Sequence, residues 1–132
     1  MRKFTILSLA LAAVLLVAGA VIAAPKAPGD EYVKLPEGAT KTQQSIKFSH
    51  TAHGALECTA CHHTWDGKGD IQSCSTAGCH TDMKEKKGGA SYYAAFHAPQ
   101  STISCMGCHR VERQAGKTNV PTACTACHPK NQ

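Results

Sequence analysis

Cys58-Thr59-Ala60-Cys61-His62-His63 places two thiols with two residues between them and follows them at once with imidazole. That is the attachment signature of a c-type haem. The sulfurs add to the vinyl groups of the porphyrin, and the histidine after the second cysteine comes to lie under the iron as an axial ligand. Cys105-Met106-Gly107-Cys108-His109 and Cys124-Thr125-Ala126-Cys127-His128 repeat the spacing. Cys74-Ser75-Thr76-Ala77-Gly78-Cys79-His80 keeps the Cys-His ending with four residues between its cysteines. Four haem sites are expected.

The ligand accounting closes. Eight cysteines fill four pairs, and a histidine ends every pair. Histidine is 8 of 132 residues, so four such endings by chance have a probability of roughly one in 10⁵. The other histidines, His50, His53, His63 and His97, provide one further imidazole per haem, so each iron can take histidine on both sides. Neighbouring side chains diverge, and the axial ligands of one iron lie on opposite faces of its ring, so His62 and His63 must serve different haems. His50 and His53, three residues apart, can project from one helical turn toward different irons. Ligand placement alone therefore argues for a compact haem cluster.

Two blander readings explain less. Eight cysteines in an exported chain could form disulfides, but disulfides account for none of the histidines that follow. Zinc suits repeated Cys-x-x-Cys pairs, yet its histidine ligands are normally spaced apart rather than fused to each pair. The longer gap in Cys74 to Cys79 is weak alone and strong beside three regular sites, with Gly78 allowing a tight bend before Cys79.

Composition agrees with a haem core. The chain has net charge +5 but only three Phe, three Tyr and one Trp, and much of its apolar content sits in the N-terminal segment. A small scaffold so poor in large apolar side chains needs staples. The expected fold is a small multihaem cytochrome, mostly irregular, with a few short α-helices, a short two-stranded antiparallel ribbon, and four haems forming the core.

Arg2 and Lys3 precede an apolar run from Phe4 to Ala18, then Gly19 and small residues through Ala24, the order of a secretory signal. Residues 1–23 are read as a signal peptide cleaved after Ala23, and residues 24–132 as the tetrahaem domain. An uncleaved anchor is the alternative, since Phe4 to Ala24 is just long enough to span a bilayer. Tyr32-Val33-Lys34-Leu35 and Ser45-Ile46-Lys47-Phe48 are expected to pair as the ribbon. Helices are expected over Ala90 to Ala98, ended near Pro99, and over Ser104 to Ala115, capped by Ser101, Thr102 or Ser104 and stopped by Gly116. The rest reads as loop. Trp65, Phe48, Phe96, Tyr92 and Tyr93 read as haem-packing residues.

Phe48-Ser49-His50-x-x-His53, Cys58-x-x-Cys61-His62-His63, Cys74-x4-Cys79-His80, Tyr92-Tyr93 leading to His97, and Cys105-x-x-Cys108-His109 resemble the class III tetrahaem cytochromes c, the cytochrome c3 family of sulfate-reducing bacteria. The resemblance covers nearly the whole mature chain. It implies His62, His80, His109 and His128 as fifth ligands, with His50 as sixth ligand of the first haem, His63 of the second, His53 of the third and His97 of the fourth. One departure is visible: type I members usually have four residues between the last two cysteines, where Cys124 and Cys127 have two.

The resemblance further implies a periplasmic electron carrier in sulfate respiration, not an enzyme, that exchanges electrons and coupled protons between hydrogenase and membrane-associated or larger multihaem cytochromes. No nucleic-acid partner is expected. Histidine on both sides of iron lacks the Met ligand that raises potential, so low potentials are expected. A multihaem reductase is the rival reading, and it would need an open iron. Lys84, Lys86 and Lys87 precede His97 by 10 to 13 residues, and Lys130 follows His128. These lysines are expected to ring the fourth haem's edge and steer partners there.

Overall fold

The structure, a computed structural model, describes residues 26–129. The signal segment, its cleavage after Ala23, the new terminus at Ala24 and Lys130 fall outside the described residues. Two strands pair antiparallel: β1, Glu31–Tyr32, and β2, Lys47–Phe48, in the register Glu31 to Phe48 and Tyr32 to Lys47. The Val33 N–H extends the pairing with a 2.9 Å bond to the Ile46 carbonyl. The ribbon thus joins the expected segments, but it begins one residue early and stops before Leu35. A two-stranded ribbon has little intrinsic stability, and Pro36, which is buried, has no N–H to continue it.

Three helices follow: α1, Tyr92–His97; α2, Cys105–Gln114; and α3, Cys124–Cys127. The first two sit inside the expected ranges, and their ends have local causes. Ser91 caps α1, its Oγ accepting from Ala94 N–H at 3.0 Å and donating to the Glu85 carbonyl at 2.6 Å. Ala98 leaves helical geometry at ψ 109, as a residue before proline is driven to do. Ser104 caps α2 by accepting from Gly107 N–H at 3.0 Å, while its hydroxyl lies 2.6 Å from the Ala98 carbonyl. The far end closes when Gly116 and Lys117 N–H return to the Arg113 and Glu112 carbonyls, the paired bonds of a Schellman motif.

Helix α3 and two 3-10 turns, Thr51–His53 and Cys58–Ala60, lie where the sequence reads as loop. Each is too short to show a hydrophobic period.

Helices α1 and α2 contact each other. Gly107 makes the approach possible: a Cβ there would stand 2.0 Å from the Ser101 carbonyl oxygen and 2.8 Å from that of Ala98. Among the described residues no large apolar side chain is buried, and the two fully buried side chains are the caps, Ser91 and Ser104. Large apolar side chains therefore do not make up the core of the described residues, as the composition leads one to expect.

Candidate functional site

In each Cys-His motif a backbone bond ties the histidine back toward the first cysteine. His62 N–H bonds the Cys58 carbonyl at 2.9 Å, and His128 N–H bonds that of Cys124 at 2.8 Å. This four-residue spacing puts the first cysteine and the histidine on the same side of one turn. Cys105 to His109 is the first turn of α2 and inherits the same geometry. The long motif reaches the same end by a detour: His80 N–H bonds the Cys74 carbonyl at 2.9 Å, across the two extra residues. Gly78 takes φ 84 within the detour, a backbone state that L side chains avoid.

Three histidine pairs come together. His53 and His109 have ring centroids 6.1 Å apart and planes within 9°. His97 and His128 are 6.0 Å apart and within 7°. His63 and His80 are 5.8 Å apart with planes at 50°. Two imidazoles bound to opposite sides of one metal, with metal–nitrogen bonds of about 2.0 Å and a ring radius of about 1.1 Å, would have centroids roughly 6 Å apart. Among the described residues no ring contact joins His50 to His62.

Hydrogen bonds orient five of the rings. Nδ1–H donates to a backbone carbonyl in His50 (Gly29, 3.1 Å), His53 (Ser49, 2.8 Å), His62 (Gln72, 3.2 Å), His97 (Tyr93, 3.0 Å) and His109 (Pro121, 2.8 Å). Occupying Nδ1 leaves Nε2 as the lone-pair nitrogen and fixes the ring's direction, the usual outer support of a metal-bound histidine. His80 and His128 bury Nδ1 without a partner in the chain. Sequence reading found the rings but not these carbonyls, which mostly come from distant loops.

Aromatic side chains pack on the rings. Phe48 lies edge-on to His50 at 4.8 Å and stacks on His53 at 4.7 Å. Tyr93 stacks on His97 at 4.2 Å, and Tyr92 meets Phe96 at 5.0 Å. Tyr92 also donates its hydroxyl to the Lys34 carbonyl at 3.0 Å, tying α1 to the segment after the ribbon. A cavity of about 440 Å³ is lined by Lys86, Tyr92, Tyr93, Phe96, His97 and His128 among others.

None of the eight cysteines is joined to another in a disulfide. Burial pushes the Cys105 thiol up to about 11, with further contributions from Cys61, Cys74 and Cys127. Cys61 is raised by burial first, then by Cys108 and Cys74. That these thiols sense one another's charge places the attachment motifs near one another. As thioethers they would no longer titrate.

Paired rings at metal-spanning distance, histidines with Nδ1 already engaged, cysteines free of disulfides and, among the described residues, the lack of buried large apolar side chains all fit covalently bound haem. Comparison with known proteins agrees, since residues 27–128 match the class III cytochrome c family. The chain belongs to that family. A cytochrome c3 of Desulfovibrio desulfuricans is 47% identical over 105 residues, spanning 80% of this chain and 98% of that protein. One from Maridesulfovibrio salexigens is 47% identical over 108 residues, with 80% and 98% covered. Among solved structures, the di-tetraheme cytochrome c3 from Desulfovibrio gigas matches with a TM-score of 0.70 at 33% identity, covering 79% of this chain and 98% of that one. As a class III cytochrome c, the chain is a multihaem electron carrier, its cofactors are four haem c groups, and its eight cysteines fit four attachment sites.

Proposed function

We propose that this cytochrome is an exported, periplasmic, low-potential carrier in which two histidines hold each haem iron. The pairs are His50 with His62, His63 with His80, His53 with His109, and His97 with His128. The single observation that carries this reading is the set of three ring pairs at 5.8 to 6.1 Å. His50 and His62 complete the set by elimination, and the carbonyl bonds at their Nδ1 atoms support it.

When bound, each haem supplies a one-electron couple. The chain's own work is to fill both axial positions, which leaves a substrate nowhere to bind and favours a carrier over an enzyme. The close motifs keep the four sites within one small domain, so an electron entering at one can leave from another. Hydrogenase is the proposed donor, and membrane-associated or larger multihaem cytochromes are the proposed acceptors, within sulfate respiration. Reduction adds negative charge near groups partly removed from water, which favours proton uptake there.

Lys84, Lys86 and Lys87 are the proposed docking rim. Their loop is fixed at both ends, by Asp82 N–H to the Ala90 carbonyl and by Tyr92 N–H to the Asp82 carbonyl, each 2.9 Å. The Asp82 carboxylate accepts from Glu85 and Lys84 N–H, and these bonds hold it below the usual carboxylate range. The lysines are therefore presented on a set backbone beside α1, which carries His97.

The test is the exported protein itself. Its mass should equal residues 24–132 plus four haems, and its ferric spectrum should be wholly low-spin. A native reduced form that binds carbon monoxide would overturn two-histidine ligation. Reversal of Lys84, Lys86 and Lys87 to Glu should slow electron transfer from hydrogenase at low ionic strength, with the difference shrinking as salt is added.

A further inference from the structure

Lys86 differs from its lysine neighbours in what it touches. Its Nζ stands 5.5 Å from the centroid of the Tyr93 ring, within the range of a cation–π contact. The other side of the arrangement is Tyr93 stacked on His97 at 4.2 Å with planes within 11°. Tyr93 also fixes His97 through its carbonyl, which accepts from Nδ1 at 3.0 Å. His97 in turn parallels His128 at 6.0 Å. One exposed ammonium is thus held against a ring that rests on a proposed iron ligand. Lys86, Tyr93, His97 and His128 all line the same cavity, whereas Lys84 and Lys87 do not. The loop that carries Lys86 cannot drift, because Ser91 Oγ pins the Glu85 carbonyl at 2.6 Å.

We propose that Lys86, seated on Tyr93, is a positioning residue that couples occupancy of the docking surface to the fourth haem's redox equilibrium, so that an acidic protein partner binds the oxidised site more tightly than the reduced one. The inference rests on the docking and ligation readings above and adds a direction to them. A positive charge near the iron favours the reduced form. Tyr93 touches both the ammonium and His97, so the charge is held within a few side-chain widths of the proposed ligand, where its Coulomb effect outweighs that of the more distant lysines. A partner's Asp or Glu that pairs with Lys86 cancels that charge and shifts the site toward oxidised. Linkage makes the effect reciprocal: the arriving electron weakens the partner's hold by the same factor. A donor that docks by its carboxylates is released by the electron it delivers.

The experiment uses the holoprotein at low salt, with hexaglutamate as the acidic probe and site-resolved haem signals in a redox titration. In Lys86→Gln, the reduced-to-oxidised ratio of the fourth haem at a fixed potential should fall roughly three-fold, with a smaller change in Lys87→Gln. Lys86→Arg should restore the parent ratio. Tyr93→Phe should preserve the effect of Lys86→Gln, and Tyr93→Leu should reduce it to that of Lys87→Gln. Hexaglutamate should bind the oxidised protein roughly three-fold more tightly than the reduced, a preference lost in Lys86→Gln and with added salt. Equal effects of Lys86→Gln and Lys87→Gln would overturn the coupling. Binding of hexaglutamate without redox preference would overturn it while leaving the docking surface intact. Failure of hexaglutamate to bind, together with unimpaired electron transfer in the triple lysine reversal, would remove the docking reading and the coupling with it.

Discussion

The attachment sites at Cys74 to His80 and at Cys105 to His109 perform the same task on unlike backbones. The later one is the opening of a ten-residue helix, capped by Ser104 and closed by backbone bonds beyond Gln114. The earlier one is a run of turns held by bonds from His80 N–H to the Cys74 carbonyl and from Cys79 N–H to that of Thr76, each 2.9 Å. The rings reflect this. His53 and His109 both have Nδ1 engaged and lie within 9° of parallel. His63 and His80 lie at 50°, and His80 has no chain partner for Nδ1. A helix and its caps fix where a histidine sits, and a carbonyl on Nδ1 helps to set its plane but is not required for parallel rings, since His128 lacks such a partner and still lies within 7° of His97. The turn site has the first kind of support from successive turns rather than from a helix, and His80 lacks the second.

The largest expected effect falls on the helical site. Gly107→Ala puts a methyl group 2.0 Å from the Ser101 carbonyl oxygen, and backbone cannot yield as a side-chain tip would. The cost is about 3 kcal/mol or more, seen as a lower thermal midpoint and incomplete haem loading. Gly89→Ala, where nothing lies within 4 Å, is the matched control. Equal behaviour of the two variants would mean that α1 and α2 are not packed as described.

Ser104→Ala should follow at about 2 kcal/mol, because it removes the cap and leaves the buried Gly107 N–H without its acceptor. In the turn site, Gly78→Ala forces an L side chain to φ 84 but meets no atom, so about 1 kcal/mol is expected. If Gly78→Ala proves more damaging than Ser104→Ala, the turn site is the more tightly specified of the two.

What the sequence discloses follows from how local each cause is. Covalent attachment and axial ligation act within a few residues, so the four Cys-His endings can be read directly, as can the stop of α1 near Pro99, while the cap of α2 is narrowed only to Ser101, Thr102 or Ser104. Gly107 looks like any residue between two cysteines, because its requirement comes from the Ala98 and Ser101 carbonyls across the helix contact. The carbonyls of Gly29, Gln72 and Pro121 that turn His50, His62 and His109 are set by loops 10 to 21 residues away. By contrast Ser49 and Tyr93, four residues before His53 and His97, follow from the helical turn alone. Helix α3 went unread because it is a single turn without a side-chain cap. The ribbon's offset has a similar origin: its strands are two residues long and too exposed for a buried face to fix their limits.

The smallest effect tests whether backbone or side chains hold the far end of the helical site. Lys117 pairs with Glu112 at that end, and the Glu112 hydrogen bond and charge raise the lysine above its ordinary value. A raised lysine pKa contributes stability that is fully present below the unfolded-state value and is lost as pH rises through the folded value, so the pair matters, if at all, up to the alkaline range. Both partners reach solvent, where such pairs contribute little. The same turn is already closed by Lys117 N–H on the Glu112 carbonyl at 3.1 Å and Gly116 N–H on that of Arg113 at 3.0 Å, and neither bond needs the carboxylate. Glu112→Gln should therefore leave the thermal midpoint at pH 7 unchanged within error, with no added dependence on salt. A clear fall in the midpoint that vanishes at high salt would show that the ion pair, rather than the backbone closure, secures the end of the helix that carries Cys105, Cys108 and His109.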